Sequence, residues 1–161
     1  MISIIVAIAD DYGIGKNNEL LWNIPEDLKR FKRLTTGKTV IMGKKTWESL
    51  PRKPLPNRRN IVITDVPEEK IEGAVMAYSI DEACNLCGEE ENFIIGGGSI
   101  YRQFMPLADR LYITRVHSTS PADVYFPVIS VTDWEETERQ DFPADKNFPS
   151  YSYIIYEKRK S

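Results

Sequence analysis

An acid on the apolar face of a short helical segment is the first candidate for a catalytic residue in this chain. Asp27 follows Pro25, and helical spacing places it on one face with Phe31 and Leu34. Burial there would raise the pKa of the acid and make it useful for proton transfer near neutrality. The structural alternative is an acid that binds amides of the first helical turn. The charged residues of this segment are predicted to face solvent: Glu26, Lys29, Arg30 and Lys32.

A glycine-rich turn is the second such feature. Gly96-Gly97-Gly98-Ser99 follows a predicted strand and precedes a predicted helix. Glycines adopt unusual φ values and let a ligand approach bare backbone, and the amides that follow point outward. The turn therefore suits a diphosphate, although tight packing alone would also require glycine.

A second loop of this kind is Met42-Gly43-Lys44-Lys45-Thr46. It also joins a strand to a short helix, and its two lysines oppose the helix dipole unless an anion is bound. A solvated lysine pair is the simpler alternative. Two such loops on neighbouring strands would hold both halves of a dinucleotide.

Cys84 and Cys87 form a Cys-x-x-Cys pair with three interpretations. A redox motif usually carries Pro or Gly between its thiols, and a zinc site needs about four ligands whereas His117 is the only histidine. The third interpretation is the buried stripe of a short helix, which we favour. Its members would be Ala83, Leu86 and Cys87, with Ser79 and Glu82 as a capping box and Gly88 as the C-terminal stop.

Bulk properties exclude several classes of function. The 161 residues carry a net charge of −3, which argues against a duplex nucleic-acid binder. The apolar segment 2–9 is too short to cross a bilayer and lacks the marks of a signal peptide, so we expect a cytoplasmic protein. With one histidine and no nucleophile elbow, hydrolytic triads have little support. A lone acid beside a dinucleotide site instead indicates redox chemistry with one proton transfer.

The elements that would position these residues alternate along the chain. Strands are predicted at 3–9, 39–42, 60–64, 74–77, 92–95, 111–116 and 151–157. Helices are predicted at 25–34, 44–49, 79–87 and 99–104. This alternation predicts one α/β domain over residues 1–161 with a mostly parallel sheet, whose ligands bind beyond the carboxyl ends of the strands.

Several separated segments also match a known enzyme family in order and spacing. They are Gly13-Ile14-Gly15, Leu20-Leu21-Trp22, Asp27, Phe31, Thr35, Val40-Ile41-Met42-Gly43, Thr46-Trp47-Glu48-Ser49, Leu55-Pro56-Asn57-Arg58, Ile95-Gly96-Gly97-Gly98 and Phe126-Pro127. Together they resemble the dihydrofolate reductase family, in its short bacterial chromosomal form, over almost the whole chain. Without this resemblance, the residues indicate only a dinucleotide-using α/β enzyme.

The resemblance implies a fold and a reaction. The fold would be an eight-stranded, mostly parallel twisted sheet with an antiparallel C-terminal strand, flanked by four helices. The reaction would be NADPH-dependent reduction of 7,8-dihydrofolate to 5,6,7,8-tetrahydrofolate for one-carbon metabolism. Hydride would pass to C6 and a proton to N5, and antifolates would be inhibitors.

The resemblance also implies residues that bind the substrate. Asp27 would hydrogen-bond the pterin and promote protonation at N5, with Thr114 bridging the two. Arg58 would bind the glutamate carboxylate, for which a guanidinium fork is well shaped. Without the resemblance, Arg58 would be interpreted as an ordinary surface arginine. The apolar walls would be Ile5, Leu28, Phe31, Leu50 and Leu55.

The cofactor site implied by the resemblance involves more of the chain. Ala7, Ile14 and Tyr101 would border the nicotinamide, and the loop 15–22 would close over it with Leu20 at its tip. Trp22 would help position a water near Asp27, although simple packing would also explain a tryptophan. The diphosphate would lie on Gly96, Gly97, Gly98, Ser99 and Ile100, with a cis bond between the first two glycines. The adenosine half would lie on Gly43, Lys44, Lys45, Thr46 and Thr64.

Three residues depart from the family's pattern. Leu21 stands where a proline usually precedes the loop tryptophan. Asp65 and Ser99 replace residues that often add positive charge near the adenosine 2′-phosphate. Losing a charge-assisted contact costs about 1.5–3 kcal/mol. We therefore expect NADPH as the cofactor, with weaker discrimination against NADH.

Two alternative functions stay open. One is a related reductase acting on another pterin or a pyrimidine, such as the riboflavin-pathway reductase domain. The other is a non-catalytic nucleotide- or folate-binding module. In every case we expect a monomer with no metal, nucleic-acid or membrane partner.

Overall fold

The helices and strands are those of a computed structural model that describes residues 1–16 and 19–160, with only the backbone of Glu19. The strands are β1 Ile2–Ala9, β2 Gly13–Lys16, β3 Glu19–Leu20, β4 Thr39–Gly43, β5 Arg59–Ile63, β6 Val75–Ala77, β7 Asn92–Gly96, β8 Arg110–Val116, β9 Val124–Tyr125, β10 Trp134–Phe142 and β11 Tyr151–Lys158. The helices are α1 Pro25–Thr35, α2 Lys44–Ser49, α3 Ile80–Leu86 and α4 Gly98–Phe104, which runs into a 3-10 turn at Met105–Leu107.

Eight of these strands form one sheet in the order β10-β11-β8-β1-β7-β4-β5-β6. All neighbours pair in parallel except β11, which is antiparallel to both β8 and β10. The predicted α/β fold, with its antiparallel C-terminal strand and four flanking helices, is confirmed. Each predicted strand and helix is also present, with ends that shift by one residue at most.

The strands that lack an apolar run were not predicted from the sequence pattern. β10 carries polar, exposed residues between Trp134 and Phe142, because it is the edge strand of the sheet. The two-residue strands β3 and β9 pair with β2 in a small second sheet of order β3-β2-β9. Such short strands carry too little periodicity to stand out in a sequence.

The hydrophobic core lies on both faces of the large sheet. Along β1, Ile4 and Ile8 point to the face covered by α3 and α4, and Ile5 points to the face covered by α1 and α2. This alternation follows from the two-residue period of a strand, and it explains why β1 is apolar on both sides. Among the described residues, none of the helices is long and apolar enough to cross a membrane.

Helix α3 explains the cysteine pair. The Ser79 hydroxyl accepts a hydrogen bond from the Glu82 amide at 3.0 Å, as an N-cap does, and Ala83 is fully buried. Cys84 and Cys87 are free, half-buried thiols whose pKa values are raised by burial. The pair therefore packs at the end of a short helix, which agrees with the structural interpretation.

The predicted glycine stop of this helix is wrong. The helix ends at Leu86, and Cys87 is already extended at φ −62° and ψ 142°. Gly88 is not among the glycines with positive φ. Instead, the Asn92 side chain accepts from the Gly88 amide at 3.1 Å and donates to its carbonyl at 3.0 Å. A side-chain clamp from the next strand thus takes the place of a left-handed glycine.

Candidate active site

The order of the strands places the two anion-binding loops side by side. β4 and β7 are parallel neighbours, so the loop after Gly43 and the loop after Gly96 leave the same edge of the sheet. The pairing shifts between Ile41 and Met42, which leaves Ile95 as an extra residue on β7. The two loops therefore lie on neighbouring strands, which is the condition under which they would hold both halves of a dinucleotide.

Two glycines of the glycine-rich turn have no room for a side chain. The peptide bond between Gly96 and Gly97 is cis, as expected, and Gly96 has φ +134°. A Cβ on Gly96 would lie 3.2 Å from the Thr46 hydroxyl, and one on Gly98 would lie 2.6 Å from Val124. These positions therefore require glycine, and they keep bare backbone beside the first turn of α2.

Tyr101 ties this turn to the centre of the sheet. Its hydroxyl donates to the Ile5 carbonyl at 3.0 Å, and its ring meets the edge of Phe126 with 5.3 Å between centroids. Burial raises the pKa of the phenol far above its ordinary value, so Tyr101 stays neutral. The side chain therefore fixes α4 against β1 as a rigid hydrogen-bond donor.

Asp27 is linked to the sheet by a short hydrogen bond. The Thr114 hydroxyl donates to its Oδ1 at 2.5 Å, and Thr114 itself is buried in β8, between Ala7 on β1 and Tyr153 on β11. Burial raises the pKa of Asp27 more than the Thr114 bond and the Arg30 charge lower it. The carboxyl is thus biased towards proton exchange at higher pH than an ordinary aspartate.

Arg30 does not face solvent, so that prediction is wrong. It is only 9% exposed, and its guanidinium carbon lies 4.0 Å from the centroid of the Tyr153 ring. Arginine carries a long apolar stem and a flat cation that stacks on aromatic rings, which allows it to occupy a helix face directed at a tyrosine-rich sheet. The charge of Arg30 was therefore a misleading criterion for solvent exposure.

Four of the five predicted wall residues belong to one apolar cluster on the face of the sheet covered by α1 and α2. Ile5 is buried in the cluster that also contains Val40 and Met42. Phe31, Leu50 and Leu55 pack against that cluster and remain partly exposed. Leu28 is not part of that cluster and is 51% exposed, so it offers open apolar surface.

Arg58 is held by two hydrogen bonds. Its Nε donates to the Pro56 carbonyl at 2.9 Å and its Nη1 donates to the Thr35 hydroxyl at 3.1 Å. Partial burial lowers its pKa, but an arginine remains charged in proteins. Since these bonds use two of its five N–H groups, the guanidinium is oriented and still has donors for an anion.

In the region to which the resemblance assigns the adenosine half, Glu69 is a residue that the sequence did not predict. Its carboxylate meets the Lys44 ammonium at 2.6 Å and accepts from the Thr64 hydroxyl at 2.5 Å. These contacts raise the pKa of Lys44 and lower that of Glu69. Glu69 lies 25 positions from Lys44, so no local spacing could reveal it. Three further residues of this side are exposed: Lys45, Asp65 and Ser99.

The predicted closing loop, 15–22, includes Asn17 and Asn18, which lie outside the described residues. At its two ends, Gly15 pairs with Leu20, and the Gly15 carbonyl accepts from the Asp123 amide at 2.9 Å. Leu20 is 61% exposed, and Ile14 is partly buried against the apolar cluster that contains Ile4 and Ile8. Trp22 packs against the cluster formed by Ile24, Val116 and Tyr151.

Comparison with known proteins decides the family. The family described as Dihydrofolate reductase matches residues 1–158 of the chain. This chain belongs to the dihydrofolate reductase family. It is therefore an oxidoreductase, and the resemblance seen in its motifs is confirmed.

Individual dihydrofolate reductases agree over nearly their full length. That of Bacillus subtilis is 40% identical over 163 residues, which cover 100% of this chain and 96% of the relative. That of Neisseria meningitidis serogroup A is 47% identical over 156 residues, 96% of each chain. A solved dihydrofolate reductase from Enterococcus faecalis, complexed with NADP(H) and RAB-propyl, superimposes with a TM-score of 0.91 at 31% identity and covers 99% of this chain and 97% of its own.

Proposed function

We propose that this protein reduces 7,8-dihydrofolate to 5,6,7,8-tetrahydrofolate with NADPH, for use in one-carbon metabolism. Hydride passes to C6 of the pterin and a proton passes to N5, which balances the reaction with one proton from solvent. The observation that carries the proposal is the partly buried Asp27, bonded to Thr114 on the sheet whose carboxyl edge carries the glycine turn.

The residues of the two loops fit NADPH. The turn from Gly96 to Gly98 is a backbone cradle that a Cβ on Gly96 or Gly98 would crowd, and Thr46 lies against it. When bound, NADPH supplies the hydride from its nicotinamide ring. We assign the diphosphate to Gly96, Gly97, Gly98, Ser99 and Ile100. We assign the adenosine half to Gly43, Lys44, Lys45, Thr46 and Thr64.

Asp27 is the acid that serves the pterin. As a carboxylate it accepts hydrogen bonds from the 2-amino group and the ring amide, and it promotes protonation at N5. Its raised pKa supports this role, since a proton donor is most effective when its pKa lies near the working pH. Thr114 holds the carboxylate in place, and Trp22 positions a water near it.

The remaining assignments concern the residues that bind the rings and the glutamate tail of the substrate. The walls around the pterin and aminobenzoyl rings are Ile5, Leu28, Phe31, Leu50 and Leu55. Arg58 binds the glutamate carboxylate, which the orientation of its guanidinium supports. Antifolates that resemble the pterin compete for this site.

The nicotinamide end is closed by apolar residues. Ala7, Ile14 and Tyr101 border the ring, and Leu20 covers it from the loop 15–22. The large exposed fraction of Leu20 supports this role, because an exposed leucine gains by burial against a ligand. Closure excludes water from the hydride path.

We also propose that residues 1–161 act as one domain and one monomer in the cytoplasm. A single sheet that includes residues 2 to 158 supports one domain. The two free thiols support a reducing compartment. Sedimentation velocity at micromolar concentration tests the monomer directly.

Isotope transfer tests the reaction itself. NADPH that carries deuterium at C4 of the nicotinamide is mixed with dihydrofolate and the enzyme, and the product is examined by NMR. Deuterium at C6 of tetrahydrofolate is the expected result. Deuterium in solvent or at another ring position would contradict direct hydride transfer to C6.

A further inference from the structure

Arg30 is a buried cation one helical turn after Asp27, and the assignments above give it no part. Its guanidinium carbon lies 4.0 Å from the centroid of Tyr153 and 6.0 Å from that of Tyr112. The residue as a whole is 9% exposed. Burying a charge is costly unless other groups compensate it, so the surroundings of Arg30 must favour a cation.

These surroundings connect Arg30 to the acid of the site. Tyr153 on β11 pairs directly with Thr114 on β8, and Thr114 donates to Asp27. Tyr153 is itself held by the edge of Phe142, with 4.8 Å between ring centroids. Arg30, Tyr153, Thr114 and Asp27 are thus linked in series across α1, β11 and β8, and the first and last of them lie one helical turn apart on α1. We call this group the Arg30 stack.

Charges in and around the stack favour one ionisation state of Asp27. Burial raises the pKa of Asp27 and therefore favours the neutral acid, whereas the Arg30 charge and the Thr114 bond lower that pKa. Burial also lowers the pKa of Arg30, but a guanidinium stays protonated. Within the stack, Arg30 is therefore the group whose charge opposes the effect of burial on the acid.

Other titratable groups around Asp27 carry less weight. Burial raises the pKa values of the neighbouring tyrosines, which stay neutral at physiological pH: Tyr112 on β8, with Tyr151 and Tyr153 on β11. On α1, Arg33 and Glu26 are exposed, and Glu26 is paired with Lys29 at 3.3 Å. Solvent screens exposed charges of this kind far more than a buried one.

We propose that Arg30 is a positioning residue that, held against the Tyr153 ring, stabilises the ionised form of Asp27. Burial favours the neutral form of Asp27, and the Arg30 charge opposes that effect. Without this charge, Asp27 should therefore keep its proton to higher pH. The consequence for turnover rests on the proposed function, in which Asp27 promotes protonation of the substrate. The electrostatic part of the proposal, which is the effect of Arg30 on the ionisation of Asp27, concerns the free protein alone.

NMR titration of the free protein, labelled with ¹³C at aspartate carboxyls, tests the electrostatic part. The Asp27 signal is identified by its loss in Asp27→Asn. In Arg30→Met, which keeps an unbranched stem, the Asp27 midpoint should rise by about one pH unit, the lower end of the effect of a nearby opposite charge. Arg30→Lys should restore most of the difference, and the exposed control Arg33→Met should leave the midpoint unchanged.

An unmoved midpoint in folded Arg30→Met would overturn the inference, as would an equal rise in Arg33→Met. Circular dichroism establishes folding, and Arg30→Gln, which is neutral but polar, replaces the methionine variant if that one does not fold.

The pH profile of single-turnover hydride transfer is then measured for the same variants. It should move upward in parallel with the NMR midpoint. A midpoint that rises by NMR while the rate profile stays in place would leave the inference standing and defeat the proton role proposed for Asp27. The two failures are thus distinguishable.

Discussion

The Thr114 hydroxyl and the Asp27 carboxylate are joined at 2.5 Å across 87 positions of the chain. Thr114 lies in the interior of the sheet, so the bond fixes the first turn of α1 relative to β8. A carboxyl held in this way is both oriented and partly removed from water. Two predictions about Asp27 follow from that combination.

Asp27→Asn should lower turnover by about two to four orders of magnitude at neutral pH, the usual contribution of a positioned acid or base. The rate should recover in part as the pH falls, because substrate that is already protonated at N5 no longer needs the carboxyl. Glu26→Gln, which changes an exposed neighbouring carboxylate, is the matched control and should behave like the wild type. A rate for Asp27→Asn equal to that of the wild type would exclude the proposed role.

The same substitution should stabilise the fold at neutral pH. Since burial raises the folded-state pKa of Asp27, its ionisation is easier in the unfolded chain. The free energy of unfolding therefore falls as the pH rises from the unfolded-state pKa to the folded-state pKa, and the full cost remains above it. Urea midpoints should therefore be higher for Asp27→Asn near pH 7. The difference should shrink as the pH approaches the ordinary aspartate pKa of about 3.9. A stability difference independent of pH would show that burial does not disfavour the charge.

Arg58→Ala should weaken dihydrofolate binding and leave NADPH binding unchanged. Loss of a charge-assisted hydrogen bond costs about 1.5–3 kcal/mol, or roughly ten- to a hundredfold in Kd. Arg59→Ala, at an exposed position next in the chain, is the control and should keep both affinities. Calorimetric titration with each ligand measures them. Equal weakening of both ligands in Arg58→Ala would place Arg58 outside the folate site.

Glu69→Gln should strengthen NADPH binding and leave NADH binding unchanged. Glu69 now shares the Lys44 ammonium at 2.6 Å, and the amide would free that charge for the 2′-phosphate while still accepting from Thr64. The gain should reach up to about fivefold, the range of exposed ion pairs, and should fade at high salt. Glu72→Gln, on the same loop and exposed, is the control. A parallel gain for NADH would show that the effect does not involve the 2′-phosphate.

Local patterns predicted the four helices, the two anion-binding loops and every strand of the large sheet except β10. β-Branched runs and glycine-rich turns mark strands and their ends, and parallel pairing then brings Gly43 and Gly96 to one edge of the sheet. Asp27 was predicted because an acid among Phe31 and Leu34 breaks the apolar face of its helix. These are features that a window of about ten residues contains.

Contacts between distant parts of the chain were not predictable in this way. Glu69 reaches Lys44 from another loop, 25 positions away. Arg30 resembles a surface charge in its helix, and only the position of Tyr153 on β11 shows why it is buried. In both cases the deciding partner is distant in the chain and is chosen by the packing of the sheet rather than by local pattern.

The loss of NADPH absorbance with purified enzyme, with and without dihydrofolate, tests the central claim most directly. We predict rapid loss that requires dihydrofolate, and a slower but measurable loss with NADH in parallel, since Asp65 and Ser99 reduce positive charge near the 2′-phosphate. Folded protein that consumes no NADPH in the presence of dihydrofolate would contradict the account and direct attention to another pterin-like substrate or to a binding role.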